Sequence, residues 1–161
     1  MYQYTESGLD NVWLTGGYRV EETPYGNTVV IENEAALVRL VAEHLIGHKR
    51  QLSGVEFRFL RNVMGLTQTE LGAKVGKKLL TVSRWEGGDT PIPAWADRMI
   101  RQLCLEHLGR RPRLADLIEA TPGLPDDPSF EFEYDDGADG RWTPRTLADA
   151  HRQGQTSIPG V

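Results

Sequence analysis

Side chains that can hydrogen-bond to an anionic or nucleic-acid partner are concentrated between Gln68 and Arg84. Arg84 carries a planar fork of N–H donors that can pair with two acceptors on the edge of guanine, and Lys78 can reach a phosphate or a guanine. Leu79 and Leu80 are apolar and could pack on the methyl group of thymine. The alternative interpretation is that these side chains form an ordinary solvated helix surface.

Four short helices are predicted around these side chains, because apolar residues recur there at helical spacing and glycines mark the breaks. Gly76 falls where the chain must turn abruptly, and glycine adopts the left-handed conformation without a Cβ clash. Thr67 is a candidate N-cap, and Glu70 three residues later completes a capping box. The predicted helices run from Val55 to Met64, from Thr67 to Val75, from Leu79 to Trp85 and from Pro93 to about Leu108.

Apolar stripes on the two middle helices indicate how these helices pack. Leu71 and Val75 are four residues apart, and Val82 and Trp85 are three residues apart, so each pair lies on one helix face. We expect both stripes to be buried against the preceding helix, on Leu60 and Val63.

The segment from Leu66 to Gly88 resembles the helix-turn-helix of lambda-repressor-like, XRE-type regulators. Thr67-Gln68, Glu70-Leu71, Gly76 and the run from Thr81 to Glu86 are in register with that family's pattern, within a match of about 35 residues. The resemblance implies a five-helix DNA-binding domain in which residues 79 to 86 enter the major groove, with Gln68 on a phosphate. The DNA-binding residues that we infer are Gln68, Thr69, Lys77, Lys78, Leu79, Leu80, Thr81, Ser83 and Arg84.

Three residues depart from the family pattern. Lys77 stands where an apolar residue is usual after the turn glycine, and Lys78 stands where Ser or Thr usually caps the next helix. Losing that cap costs about 1 kcal/mol. Gly72 replaces the usual alanine, at a further cost of roughly 0.5 to 1 kcal/mol. The paired lysines add electrostatic attraction to DNA, so we expect these departures to exchange stability for affinity.

A second resemblance concerns the residues ahead of these helices. A small N-terminal β element, a linking helix and the run from Leu52 to Arg61 are similar to antitoxin-type regulators, in particular the MqsA family. That family binds zinc through N-terminal cysteines, whereas the single cysteine here is Cys104. A zinc-stabilised N-terminal domain is therefore not implied. The alternative function is an antitoxin that neutralises a partner toxin through its terminal segments and regulates its own operon.

The two ends of the chain have different patterns. Residues 11 to 31 alternate in character around Gly16-Gly17 and Pro24, which predicts a two- or three-stranded sheet, and Asn33 is a candidate N-cap for a helix ending near Gly47. The C-terminal part is rich in proline, and its one strand-like run, from Phe130 to Tyr134, could pack on a partner strand or on the protein's own sheet. We predict a mainly α, α+β chain with an N-terminal β element and linking helix (1–53), a DNA-binding domain (54–108) and an irregular C-terminal extension (109–161) that dimerises or is partly disordered.

The formal net charge is -5, which by itself argues against a nucleic-acid partner because phosphate neutralisation needs Lys and Arg. Residues 54 to 104, however, carry eight Lys or Arg against five Asp or Glu, whereas residues 1 to 53 carry four against seven and residues 105 to 161 carry six against eleven. Basic charge in the middle suits local contact with DNA. No apolar run reaches the roughly 18 residues of a membrane span. We expect a cytoplasmic protein with no membrane contact.

Metal-binding and catalytic patterns are weak. His44 and His48 have the spacing of a metal pair on a helix, but no acidic or cysteine ligand lies at a matching distance along the chain. The glutamate that follows the first histidine in zinc proteases is absent, and no nucleophile and base, phosphate loop or carboxylate dyad has a credible spacing. We predict no catalytic residue, no metal and no cofactor.

Pairing of two copies is expected from the inferred DNA target. A palindromic operator in double-stranded DNA presents two half-sites to two recognition helices related by two-fold symmetry, so we expect a homodimer. Arg110-Arg-Pro-Arg113 could contact flanking phosphates, but a solvated loop is the favoured interpretation. A stripe that is either core or dimer interface lies on the last predicted helix, at Trp95, Met99, Ile100 and Leu103.

Overall fold

A computed structural model describes residues 1–137 and 139–145. Within those residues, helices occupy the middle of the chain and strands occupy both ends, which confirms the coarse prediction of an α+β fold. The helices are α1 (Glu34–His48), α2 (Gly54–Val63), α3 (Gln68–Val75), α4 (Leu79–Gly87), α5 (Ala94–His107) and α6 (Leu114–Ala120). The strands are β1 (Tyr2–Gln3), β2 (Val12–Thr15), β3 (Tyr18–Thr23), β4 (Gly26–Ile31), β5 (Phe130–Asp135) and β6 (Arg141–Pro144).

Local capping signals set the starts of α2 and α3. The Thr67 hydroxyl accepts a hydrogen bond from the backbone N–H of Glu70, and the Glu70 carboxylate accepts one from the backbone N–H of Thr67. Ser53 and Glu56 form the same reciprocal pair at the start of α2. These bonds satisfy amide groups that a helix leaves without partners in its first turn. All four helices predicted between residues 55 and 108 are confirmed, with small differences at their ends.

The start of α1 differs from the prediction. Asn33 does occupy the N-cap position, but its backbone is left-handed, with φ of 45°, and its side chain makes no capping hydrogen bond. Asn adopts this conformation more readily than most residues, because its short polar side chain tolerates it. Asn33 therefore serves as a turn residue, and α1 continues to His48.

Strands from the two ends of the chain form one sheet, a pairing that the alternation of residues did not predict. The four-stranded sheet has the order β1-β2-β5-β6, and β2 runs parallel to β5 with Val12 opposite Phe130 and Leu14 opposite Phe132. These four side chains are buried together. The two-stranded N-terminal sheet is confirmed as an antiparallel hairpin of β3 and β4, which among the described residues pair only with each other.

The described part of the C-terminal segment, residues 109–137 and 139–145, is more regular than the predicted irregular extension, and the rest of that extension lies outside the described residues. A short helix, α6, lies between Pro112 and Pro122. It packs against α5, and its Leu117 side chain is fully buried. The strand predicted between Phe130 and Tyr134 is confirmed, and it packs on the protein's own sheet. Proline stops a helix without preventing a short one between two prolines, which is why composition alone was misleading here.

Helix α1 connects the sheet to the other helices, because it contacts α2, α5 and β6. Buried polar groups reinforce the connection. Asp97 accepts hydrogen bonds from the Arg101 guanidinium (2.7 Å) and the Leu52 amide (2.9 Å), and Arg101 also donates to the Ile46 carbonyl. The loop between α1 and α2 is thereby attached to α5. None of the helices in residues 1–137 and 139–145 has the length and apolar content needed to cross a membrane.

Candidate nucleic-acid interface

Packing of α4 against α2 and α3 fixes which of its faces points outward. Val82 and Trp85 are buried on α4, and Leu71 and Val75 are buried on α3, as their spacing predicts. The ring of Trp85 meets that of Phe57 edge to face, with centroids 5.8 Å apart. Of the two α2 residues expected beneath these stripes, Leu60 is fully buried and Val63 is half-buried.

The turn between α3 and α4 is tight, and it explains Gly72. Gly76 is left-handed, with φ of 72°, which confirms its predicted role. The next amide, of Lys77, donates to the carbonyl of Gly72 at 2.8 Å. A Cβ atom at Gly72 would lie 2.5 Å from the carbonyl oxygen of Lys77. The expectation that Gly72 merely weakens α3 is therefore wrong, because its missing side chain is what lets the turn close.

Lys77, which stands where the family pattern has an apolar residue, contacts an aromatic ring. Its Nζ atom lies 5.7 Å from the ring centroid of Trp95, within cation–π range. The Trp95 ring in turn meets Trp85 edge to face, with centroids 5.8 Å apart. Along the predicted stripe of α5, Ile100 is buried, Leu103 is half-buried, and Trp95 and Met99 are exposed.

A buried carboxylate, absent from the predicted site, links the three helices. Glu86, with a fully buried side chain, accepts hydrogen bonds from Arg61 (2.7 and 2.9 Å), Arg58 (3.2 Å) and Gln68 (3.1 Å). Burial raises the pKa of Glu86, but the hydrogen bonds from Arg61 and Gln68 and the charge of Arg61 outweigh it, so that the pKa is lowered overall. Arg61 also donates to the Leu66 carbonyl at 2.8 Å. Two features of the sequence could have indicated this network. Arg58 and Arg61 are three residues apart on α2, and Glu86 directly follows the buried Trp85 on α4.

The outward face of α4 and the residues before it carry most of the predicted site. Leu79 and Leu80 are 50% and 58% exposed, and Lys78 and Arg84 are also exposed. Lys78 occupies the N-cap position without a side-chain hydrogen bond, which confirms the expected loss of a cap. In the described part of the chain no hydrogen bond or ion pair involves the side chain of Lys78 or Arg84, so both are free for an external ligand.

The other predicted residues are less uniformly placed. Thr69 is exposed, whereas Thr81 and Ser83 are half-buried on the sides of α4. Gln68 is half-buried and uses one N–H of its amide on Glu86. Lys77, Lys78 and Arg84 are exposed cations on or next to α4, and exposed cations can neutralise the phosphates of a polyanion.

The histidines considered as a metal pair and the arginines considered for flanking phosphates lie outside α3 and α4. The rings of His44 and His48 are 5.1 Å apart and pack near Phe132 and Phe130, and no group of potential metal ligands was found among the residues that the structure describes. Arg110, predicted in a solvated loop, is half-exposed but pairs with Glu43 of α1.

No protein-family model, curated protein or solved structure matches this chain.

Proposed function

We propose that this protein is a sequence-specific DNA-binding transcriptional regulator that acts as a dimeric repressor of its own operon. In this proposal α3 and α4 form a helix-turn-helix, and α1 to α5 supply the five helices of a lambda-repressor-like fold. The observation that carries the proposal is the division of α4 into two faces. Its buried face is fixed by Val82, Trp85 and Glu86, while Leu79, Leu80 and Arg84 are exposed on the other.

The exposed face has the chemistry for reading a major groove. Arg84 can donate two parallel hydrogen bonds to O6 and N7 of guanine, and Leu79 and Leu80 can contact thymine methyl groups. Lys78, at the start of the helix, is placed to approach a phosphate or a guanine. These contacts need a helix held at a fixed angle, and the Glu86 network supplies that rigidity by tying α4 to α2 and to the first residue of α3.

Gln68 and Lys77 have intramolecular partners that are compatible with phosphate contacts. A glutamine amide has two N–H donors, and Glu86 takes one of those of Gln68, which leaves the second for a phosphate oxygen. The Lys77 ammonium lies over the Trp95 ring, and a cation–π contact leaves its N–H donors free to bind an anion as well. Both side chains are thus oriented in advance, which lowers the entropy lost on binding.

The charge distribution predicts how affinity depends on salt. A protein with net charge -5 is repelled by DNA at long range, so specific contacts must outweigh that repulsion. Only a few cations face the proposed groove, so we expect a modest salt slope. Each phosphate contact contributes about 0.9 to the slope of log K against log salt. Pairing of two copies on a palindrome would double the number of contacts and compensate for the weak attraction of one copy.

The test is an anisotropy titration of the full chain with duplex DNA from immediately upstream of its gene, at two salt concentrations. We expect Arg84→Ala to weaken operator binding by about 1 to 3 kcal/mol and to relax the preference at one base pair. The matched control is Arg19→Ala, which removes an arginine of β3 whose side chain is 55% exposed and lies outside the predicted site. Equal affinity and an unchanged footprint for Arg84→Ala and wild type would remove Arg84 from the reading surface, and no preference of wild type for upstream over scrambled DNA would contradict the proposed autoregulation.

A further inference from the structure

A cleft of about 410 Å³ lies where α1 meets β6 and the turn before it. It shares no residue with the proposed DNA-binding face. Arg39, Leu40 and Glu43 of α1 form one wall, and Arg141 and Trp142 form the other. Its volume falls in the range of small-molecule sites, roughly 300 to 1,000 Å³.

The charges in the cleft favour an anion. Two carboxylates also line it, those of Glu43 and Asp139, but Glu43 is already paired with Arg110 through two hydrogen bonds of 3.0 and 3.1 Å. The guanidiniums of Arg39 and Arg141 then face only the carboxylate of Asp139. The cleft therefore keeps one positive charge that is not balanced.

Both of these arginines have donors to spare. The Arg39 guanidinium donates from Nη2 to the Leu108 carbonyl at 2.9 Å, and its other N–H groups have no acceptor in the described part of the chain. Arg141 is exposed, and no hydrogen bond or ion pair of its side chain is found among residues 1–137 and 139–145. A guanidinium presents its donors in a planar fork that matches carboxylate and phosphate oxygens.

Apolar atoms of Leu40 and of Trp142, which is only 5% exposed, lie beside these donors and suit an anion with a small apolar part. The indole of Trp142 is fixed, because its Nε1 donates to the Glu32 carbonyl at 2.7 Å and its ring packs on Tyr134 with centroids 5.1 Å apart. Leu40 lies opposite on α1 and is half-buried. A rigid apolar surface next to unpaired cations suits a ligand that carries both kinds of group.

We propose that this cleft binds a small organic anion, a carboxylate or phosphate on an apolar skeleton, whose charged group is held by Arg39 and Arg141 and whose skeleton packs on Leu40 and Trp142. The proposal is independent of the proposed function, because it concerns a different surface.

The test is an NMR titration of the full chain with phenyl phosphate, with inorganic phosphate and benzyl alcohol as partial probes. We expect saturable shifts of the amides in α1 and β6, with phenyl phosphate binding more tightly than either partial probe. Arg141→Ala should weaken phenyl phosphate binding at least about tenfold, since a charge-assisted hydrogen bond is lost. Arg113→Ala, which removes an exposed arginine outside the cleft, should leave the affinity unchanged.

Three results would overturn the proposal: no saturable shift in α1 and β6, equal affinity of Arg141→Ala and wild type, or equal binding of benzyl alcohol and phenyl phosphate. Arg84→Ala separates this proposal from the previous one. It should weaken binding to DNA while leaving phenyl phosphate affinity intact, and a loss of phenyl phosphate binding in this variant would place the anion on α4 and contradict the cleft as its site.

Discussion

Replacing Glu86 by glutamine should destabilise the fold strongly, because the carboxylate is fully buried and neutralises Arg61, whose side chain is only 11% exposed. Removing one partner of a buried ion pair costs about 3 to 5 kcal/mol. Glutamine keeps one acceptor, and Arg58 is half-exposed and can turn to water, so we expect the lower end, about 3 kcal/mol. For a chain of this length that corresponds to a fall in Tm of roughly 6 to 12 °C.

The pH dependence of stability is a second, independent test of the same network. The pKa of Glu86 is lowered in the folded state, so its charge contributes stability that is fully present above the unfolded value and is lost as the pH falls through the folded value. The ordinary value is 4.5. The difference in unfolding free energy between wild type and Glu86→Gln should therefore be constant from about pH 7 to pH 5 and should shrink at more acid pH.

Urea unfolding followed by circular dichroism at pH 7, 5 and 3.5 measures both effects. Glu119→Gln is the matched control, since it makes the same chemical change at an exposed position on α6. If the two variants unfold at the same urea concentration at pH 7, the network does not stabilise the fold. A loss in Glu86→Gln that persists unchanged at pH 3.5 would show that shape, and not charge, makes Glu86 necessary.

Two further substitutions test the turn and the cap of α3. Gly72→Ala should lower the free energy of unfolding by roughly 1 to 3 kcal/mol in urea titrations, because the new Cβ would lie 2.5 Å from the Lys77 carbonyl oxygen and the turn would have to shift. Thr67→Ala should cost about 1 kcal/mol in the same assay, because its hydroxyl accepts the Glu70 amide at 3.1 Å.

Each of these substitutions has a control of the same type. Gly87→Ala places alanine near the end of α4, where the nearest atom belongs to the flexible Asp89 side chain at 3.4 Å, so it should be neutral or stabilising. Thr69→Ala removes an exposed hydroxyl that does not cap α3. Gly72→Ala as stable as wild type would contradict the tight turn, and a Thr67→Ala loss no larger than that of Thr69→Ala would contradict the capping role.

The helices between residues 54 and 107 were predictable because their boundaries are encoded locally. Thr67 and Glu70 are three residues apart and satisfy each other's backbone, and Gly76 ends its helix through a conformation that other residues avoid. The outward face of α4 was predictable for the same reason, since helical periodicity that buries Val82 and Trp85 leaves Leu80 and Arg84 outside.

Features that depend on contacts between distant residues could not be predicted in this way. Alternation identifies Phe130 to Tyr134 as a strand, but it carries no information that Val12 is the neighbour of Phe130 in a parallel pair. The Glu86 network joins α2, α3 and α4 through side chains that are 18 to 28 positions apart in the sequence. Gly72 is the clearest example of such an error. Intrinsic helix propensity predicts that glycine destabilises α3 at this position, whereas the close contact with the Lys77 carbonyl requires a residue without a Cβ atom.

The parallel pairing of β2 with β5 has a consequence for the order in which this protein reaches its native state. The Asn11 amide binds the Pro128 carbonyl across 117 positions of sequence, whereas α2 to α5 are neighbours along the chain. Closing so long a loop is slower than docking adjacent helices. We therefore expect a nascent chain on the ribosome to assemble its helical middle first, and β2 to pair with β5 only after residues 130 to 135 have been synthesised.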